Sequence, residues 1–323
     1  MKKYIILLLV FLIVSCDKDI KTDVSRFKKV ITNPLGMKFV YIKPGTFMMG
    51  PKEEFCPHPE YFNAYQHKVT LTKGFYMQTT EVTVGQWKKF VKVTGFRTQA
   101  ERNGFGEQMK SDDEIKGLSW KKPGFKSTEN HPITMITWED TQKFIEWINL
   151  KEDGGYRLPT EAEWEYSCRA GTNTHFSNGM NMTKEELKLK NVYNDQLGKI
   201  AWYRKNSAGN NITFDYEYGH PQPVGLKQPN NWGLYDMHGN VSEYCIDIYI
   251  KVFPLEHAID PVNKVQTTKY RTSRGGFWGR VPAGVTSSRR GIAIINKSTD
   301  SDGFRLIKDL EQEDLQKSRK IIK

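Results

Sequence analysis

The chain is poor in cysteine, with 4 among 323 residues, at positions 16, 56, 168 and 245. No Cys-x-x-Cys pair occurs, which removes the usual spacing of a structural zinc site. Setting Cys16 aside leaves an odd number, so at most one intramolecular disulfide can close and one thiol stays free. No apolar run reaches the roughly 20 residues that a membrane-crossing helix needs. Internal repeats and low-complexity linkers are also missing, which argues for one domain although the length would permit two. A chain with so few staples must be held by its core, and it has the length to build one.

The N-terminus has the parts of an export signal. Lys2 and Lys3 precede the apolar stretch Tyr4 to Val14, which ends in Ile13-Val14-Ser15-Cys16. This resembles a lipobox, in which the cysteine thiol is acylated and becomes the mature N-terminus; ordinary cleavage leaving Cys16 a plain thiol is the alternative. Two or three acyl chains anchor stably where one is marginal. The expected organisation is a signal over 1–16, a polar tether over 17–33, a globular domain over 34–307 and a charged tail over 308–323. The expected location is the cell envelope, at the outer membrane or cell surface. The net charge of +11 then points to anionic head groups, acidic or sulfated glycans, or an acidic protein face, and not to nucleic acid.

Capping chemistry predicts three helices. Thr83-x-x-Gln86 is a capping box followed by Trp87, Phe90 and Val91 before Gly95. Thr137 caps a second helix, whose Thr141, Phe144, Ile145 and Ile148 share a face. Thr160-x-x-Glu163 caps a third, where Trp164 and Cys168 lie four apart, so the thiol should pack under the helix. Phe39 to Ile42 reads as a strand that Pro44-Gly45 turns into Phe47 to Gly50. Val69 to Leu71 and Phe75 to Met77 read as further strands. Beyond Tyr156, glycine, asparagine and proline predict many loops and little regular structure, and Gly104–Glu129 and Met180–Lys190 read as charged excursions.

Three blocks stand out: Arg157-Leu158-Pro159-Thr160-Glu161-Ala162-Glu163-Trp164-Glu165-Tyr166, Gly233-Leu234-Tyr235-Asp236-Met237-His238-Gly239-Asn240, and the frame from Gly275-Gly276-Phe277-Trp278 through Ser288-Arg289-Arg290 to Gly303-Phe304-Arg305. In this order they resemble the sulfatase-modifying-factor family, which includes the formylglycine-generating enzymes. The resemblance implies an α+β fold, a C-type-lectin-like variant with sparse regular structure. It also implies a structural calcium held by Asp236, the carbonyls of Gly239 and Val241, and Glu243. Ser242 stands where the family has tryptophan, a change that removes no ligand. A second calcium would draw on Asn191.

The family's oxidase uses copper on two thiolates, in the frame Gly-Gly-Ser-x-x-Cys-x-x-x-x-Cys. Here Phe277 stands at the serine, Arg280 at the first cysteine and Val285 at the second. Soft Cu(I) selects thiolates, so copper is not expected. Cys56, His58 and His67 form the other sulfur–nitrogen grouping, which reads as a loop, and His238 and His257 show no partner. Phe277, Trp278, Arg280, Arg289 and Arg290 are expected to line a ligand cleft, because arginine suits carboxylate, sulfate or phosphate. Arg305 is expected to pair internally with Glu163 or Asp302. The function implied is an envelope lipoprotein whose domain binds a protein or glycan. The alternatives are a formylglycine-generating oxidase or another metal-dependent oxidoreductase of the family.

Overall fold

In a computed structural model the described residues are 27–52, 65–108, 114–188, 193–208, 219–252, 256–264 and 269–310. Helices form where their caps are written in the sequence. Helix Val84–Thr94 starts on Thr83, whose side chain accepts from the Gln86 N–H while the Gln86 side chain returns to the Thr83 N–H, and ends on Gly95 at φ 67°. Helices Trp138–Lys151 and Glu161–Arg169 start on the same reciprocal box, from Thr137 with Asp140 and from Thr160 with Glu163. The apolar faces of the first two meet in one aromatic nucleus, where Trp87 stacks on Phe144 at 5.5 Å and Phe304 presents its edge to both, while Ala162, Trp164 and Cys168 of the third pack in a second cluster. Such ring pairs add to the burial of their area.

A five-stranded sheet runs in the order Val30–Thr32, Lys38–Ile42, Phe75–Gln78, Ile307–Asp309, Tyr156–Arg157, with every neighbour antiparallel. The sheet begins ahead of Pro34 and ends beyond Ile307, so regular structure extends past the expected bounds 34–307 at both ends. The β-branched pair Val30-Ile31 had been masked by the lysines before it. Gly45–Met49 is a strand as expected, but it pairs with His67–Leu71 in a separate three-stranded sheet and not with the strand before the turn.

Loops were expected after Tyr156, yet a four-stranded sheet lies there, ordered Arg290–Ile294, Tyr270–Arg274, Ser242–Ile248, Asp302–Gly303. Ser242–Ile248 is buried along nearly its whole length. With both faces covered, such a strand shows no alternation to read. Short elements also occupy the charged excursions, namely the pairing of Phe105–Glu107 with Glu114–Lys116 and the helix Lys184–Lys188. The signal, Cys16, Cys56, His58, Asn191 and residues 311–323 of the tail lie outside the described residues.

Candidate functional site

Helix Glu161–Arg169 is fastened to the four-stranded sheet by buried ion pairs. Arg290 donates from Nε to Glu161 Oε1 at 2.6 Å and from Nη2 to Oε2 at 2.9 Å. Arg274 pairs with Glu165, whose other oxygen accepts from Arg169. Burial would raise the Glu165 carboxyl, but Arg169 and Arg274 outweigh it and hold it below the usual carboxylate range. Arg290 is therefore part of the scaffold and lies behind the surface.

Above this scaffold the loop from Gly275 to Arg289 folds tightly. Gly276 sits at φ 69°, where a Cβ would come within 2.0 Å of the Gly284 carbonyl, so no side chain fits. Trp278 N–H donates to Asn240 O, and a short 3₁₀ turn spans Pro282–Val285. Phe277, Trp278 and Val285 are buried. Arg280 is exposed, with its guanidinium 4.7 Å from the Phe277 ring centroid. Arg289 is half-buried, and its guanidinium is lowered to about 10 by burial and by the neighbouring charge of Arg280. Of the five residues expected to line a cleft, the two that reach the surface are thus Arg280 and Arg289. Phe277 and Trp278 pack beneath them.

Val285 is tied to the core through its backbone. Its carbonyl lies 2.8 Å from His238 Nδ1, while His238 Nε2 accepts from the Ser177 N–H at 3.1 Å. The second bond fixes the proton on Nδ1. His238 is therefore well partnered, and burial lowers it to about 4. Cys168 Sγ lies 3.8 Å from His238 Nε2, but burial pushes the thiol up to about 12, so this pair is a neutral packing contact. Cys245 is likewise buried and raised. His257 bonds Thr70, and His67 is a buried strand residue. At the two positions where the resemblance implies copper thiolates stand a guanidinium, Arg280, and an isopropyl group, Val285, and neither side chain fits Cu(I).

The acidic loop is built from unusual backbone. Asp236 and Asn240 have φ of 57° and 58°, and Gly239 has φ 89°, where a Cβ would come within 1.8 Å of Trp202 O. Glu243 does not face an open site. Arg305 donates to it from Nε at 2.6 Å and from Nη2 at 2.7 Å, and Trp164 Nε1 donates at 2.8 Å. Arg305 thus pairs with Glu243, not with Glu163 or Asp302, because the strand carrying Glu243 runs parallel to Asp302–Gly303 and brings the two side chains together. The calcium ligands implied by the resemblance are therefore only partly available. Asp236 is buried, with Oδ2 accepting from the Gly225 N–H and Oδ1 unpartnered. Glu243 is taken by arginine.

Glu81 was not singled out in the sequence. It is fully buried, accepts from Asn240 Nδ2 at 3.1 Å through Oε1, and leaves Oε2 unpartnered. Burial first and the Asp236 charge second push it well above the carboxylate range. Its only signal in the sequence is to be the sole charge between Gly74 and Trp87. Among the described residues no three Asp, Glu, His or Cys side chains gather as a ready metal site.

Residues 26–310 match the family described as the sulfatase-modifying factor enzyme 1-like domain. The formylglycine-generating enzyme of Mus musculus is 30% identical over 271 residues, covering 76% of this chain and 67% of that protein. The enzyme of Streptomyces coelicolor is 30% identical over 239 residues, covering 66% of this chain and 69% of that protein. The serine/threonine-protein kinase Pkn1 of Chlamydia trachomatis is 26% identical over 293 residues but matched over only 40% of its length. Among solved structures, PvdO from Pseudomonas aeruginosa superposes with a TM-score of 0.71 at 24% identity, covering 87% of this chain and 98% of that one. Treponema denticola variable protein 1 superposes with a TM-score of 0.62 at 20% identity, covering 88% of this chain and 100% of that one. The mixed α+β architecture with sparse regular structure is that of these folds. With the match spanning all of the described residues, the chain belongs to the sulfatase-modifying-factor family.

Proposed function

We propose that this protein is a lipid-anchored envelope module that binds an anionic ligand, an acidic or sulfated glycan, on the surface formed by Arg280 and Arg289, and that it does not oxidise thiols. What supports this reading is the pair Arg280 and Val285 at the positions where the resemblance implies the copper thiolates, with Val285 buried and the Arg280 guanidinium 4.7 Å from the Phe277 ring centroid. Two guanidinium groups close enough for one to depress the other gain from a shared anion. The formylglycine-generating oxidase remains the competing reading, since the relatives by that name are the most similar enzymes described above. Membrane attachment would rest on Cys16, at the end of the apolar stretch Tyr4 to Val14.

The test is direct. Full-length protein is incubated with copper, reductant, oxygen and a Cys-x-Pro-x-Arg peptide, and the peptide mass is followed. No aldehyde is expected; turnover would overthrow the binding reading. In parallel, retention on a sulfated polysaccharide should fall with salt and with the double substitution Arg280→Ala, Arg289→Ala. Equal retention of wild type and variant rejects the assignment of this surface. Incorporation of a clickable fatty acid that disappears in Cys16→Ala checks the anchor.

A further inference from the structure

The four-stranded sheet ends in an open edge. Arg290–Ile294 is its outermost strand, paired on one side with Tyr270–Arg274. The bond from the Ile295 N–H to the Lys269 carbonyl sets the phase of that ladder, so Gly291, Ala293 and Ile295 turn their main-chain groups to the partner strand. The N–H and carbonyl of Ile292 and the N–H of Ile294 therefore point outward, and among the described residues none bonds them. Side chains alternate along the strand. Ala293 enters the aromatic core, while Ile292 and Ile294 lie on the opposite face beside Thr272 and Tyr270. Helix Glu161–Arg169 covers this face at Arg290 but not beyond it, which leaves Ile292 56% and Tyr270 38% exposed. Past Ile294 the edge runs into a cavity of about 270 Å³, walled by Gln99, Asn103, Glu107, Lys269 and Asn296. Lys297 is paired with Glu107 there at 2.7 Å, whereas no acid pairs with Lys269 among the described residues. The Lys269 ammonium lies 5.9 Å from the Tyr270 ring centroid, at the border of the apolar face.

We propose that this edge takes up an extended, acidic segment of a partner protein as an additional strand. Left bare, an apolar strand edge is a template for aggregation. Main-chain bonds to Ile292 and Ile294 supply the affinity of such a strand, and its alternate side chains supply the selectivity. The side chain opposite Ile292 is apolar and covers Ile292 and Tyr270. Two residues along, roughly 7 Å, a carboxylate reaches Lys269 at the mouth of the cavity. Charge decides the occupant. A second copy, paired antiparallel through Ile292, would set Arg289 of each chain against Lys269 of the other, and the two basic ends repel. An acidic segment is attracted by both ends, and by the net charge of +11. The inference is independent of what the surface of Arg280 and Arg289 binds.

Full-length protein is titrated into a fluorescent peptide, Thr-Val-Thr-Val-Thr-Glu-Thr, and anisotropy is read. One control peptide has lysine in place of the glutamate; a second carries an N-methyl group on the main-chain nitrogen of each valine. The acidic peptide should bind at least about tenfold tighter than either, since the first control loses the charge contact and the second the main-chain bonds. Ile292→Pro should lose the peptide but keep the melting temperature of wild type, because the N–H it removes points away from the sheet and edge strands tolerate proline there. Its retention on a sulfated polysaccharide should match that of wild type, which separates this edge from the surface of Arg280 and Arg289. Lys269→Glu should exchange the preference and take the lysine peptide over the glutamate one. Equal binding of the N-methylated peptide overturns the proposal, as does an acidic peptide that fails to bind at all. So does full-length protein that sediments as a dimer and is dispersed by Ile292→Pro, for then a second copy holds the edge.

Discussion

At the scale of single residues, charge burial dominates this molecule. Glu243 and Arg305 are both fully buried and bonded in a fork. Removing one partner strands the other, which costs about 3–5 kcal/mol, whereas replacing both by apolar groups of similar volume costs far less. Urea unfolding of Arg305→Met, Glu243→Leu and the double variant should show this non-additivity. His238 gives a pH prediction. Its folded value lies at about 4, below the ordinary 6.5, so the folded state refuses a proton that the unfolded chain accepts. The stability held by neutral His238 is intact above 6.5 and is lost as the pH falls towards 4. It amounts to about 3 kcal/mol. The stability gap between wild type and His238→Gln should therefore shrink across that window, measured by denaturant midpoints. Cys168 and Cys245, buried and protonated, should resist iodoacetamide until denaturant is added.

At the scale of elements, the helices were legible because their signals are local. Thr83, Thr137 and Thr160 each cap within three residues of their partner. Thr160→Ala should lower stability by about 1 kcal/mol, read from equilibrium unfolding. The four-stranded sheet was not legible. Its central strand Ser242–Ile248 carries Ser, Glu, Cys and Asp in the interior, and those polar groups are satisfied by distant partners such as Trp164, Arg305 and Asn263. Glu81 escaped notice for the same reason, since what makes it unusual is its neighbour Asp236, far along the chain. The five-residue cleft was legible in part. Arg280 and Arg289 reach the surface, while periodicity cannot tell that Arg290, next in sequence, turns inward to Glu161.

At the scale of the whole molecule, the family frame is kept with arginine at position 280 and valine at position 285. The scaffold depends on glycine geometry and buried ion pairs, which are separable from positions 280 and 285. The same scaffold explains why so few thiols suffice, for arginine–carboxylate forks cross-link helix to sheet as disulfides would elsewhere. A chain stopped after Leu306 should fail to fold, because it lacks Ile307–Asp309, which bonds Phe75–Gln78 on one side and Tyr156–Arg157 on the other. Loss of the native tryptophan emission and rapid proteolysis would report that failure.

That arrangement also dictates timing. Without Ile307–Asp309 the first sheet has a gap between Phe75–Gln78 and Tyr156–Arg157, and the segment that fills it leaves the ribosome about 150 residues after the later of the two. Stable closure must wait for Ile307–Asp309, as pairings between distant segments close slowly. A polypeptide with this layout keeps the centre of its first sheet open until those three residues have been made.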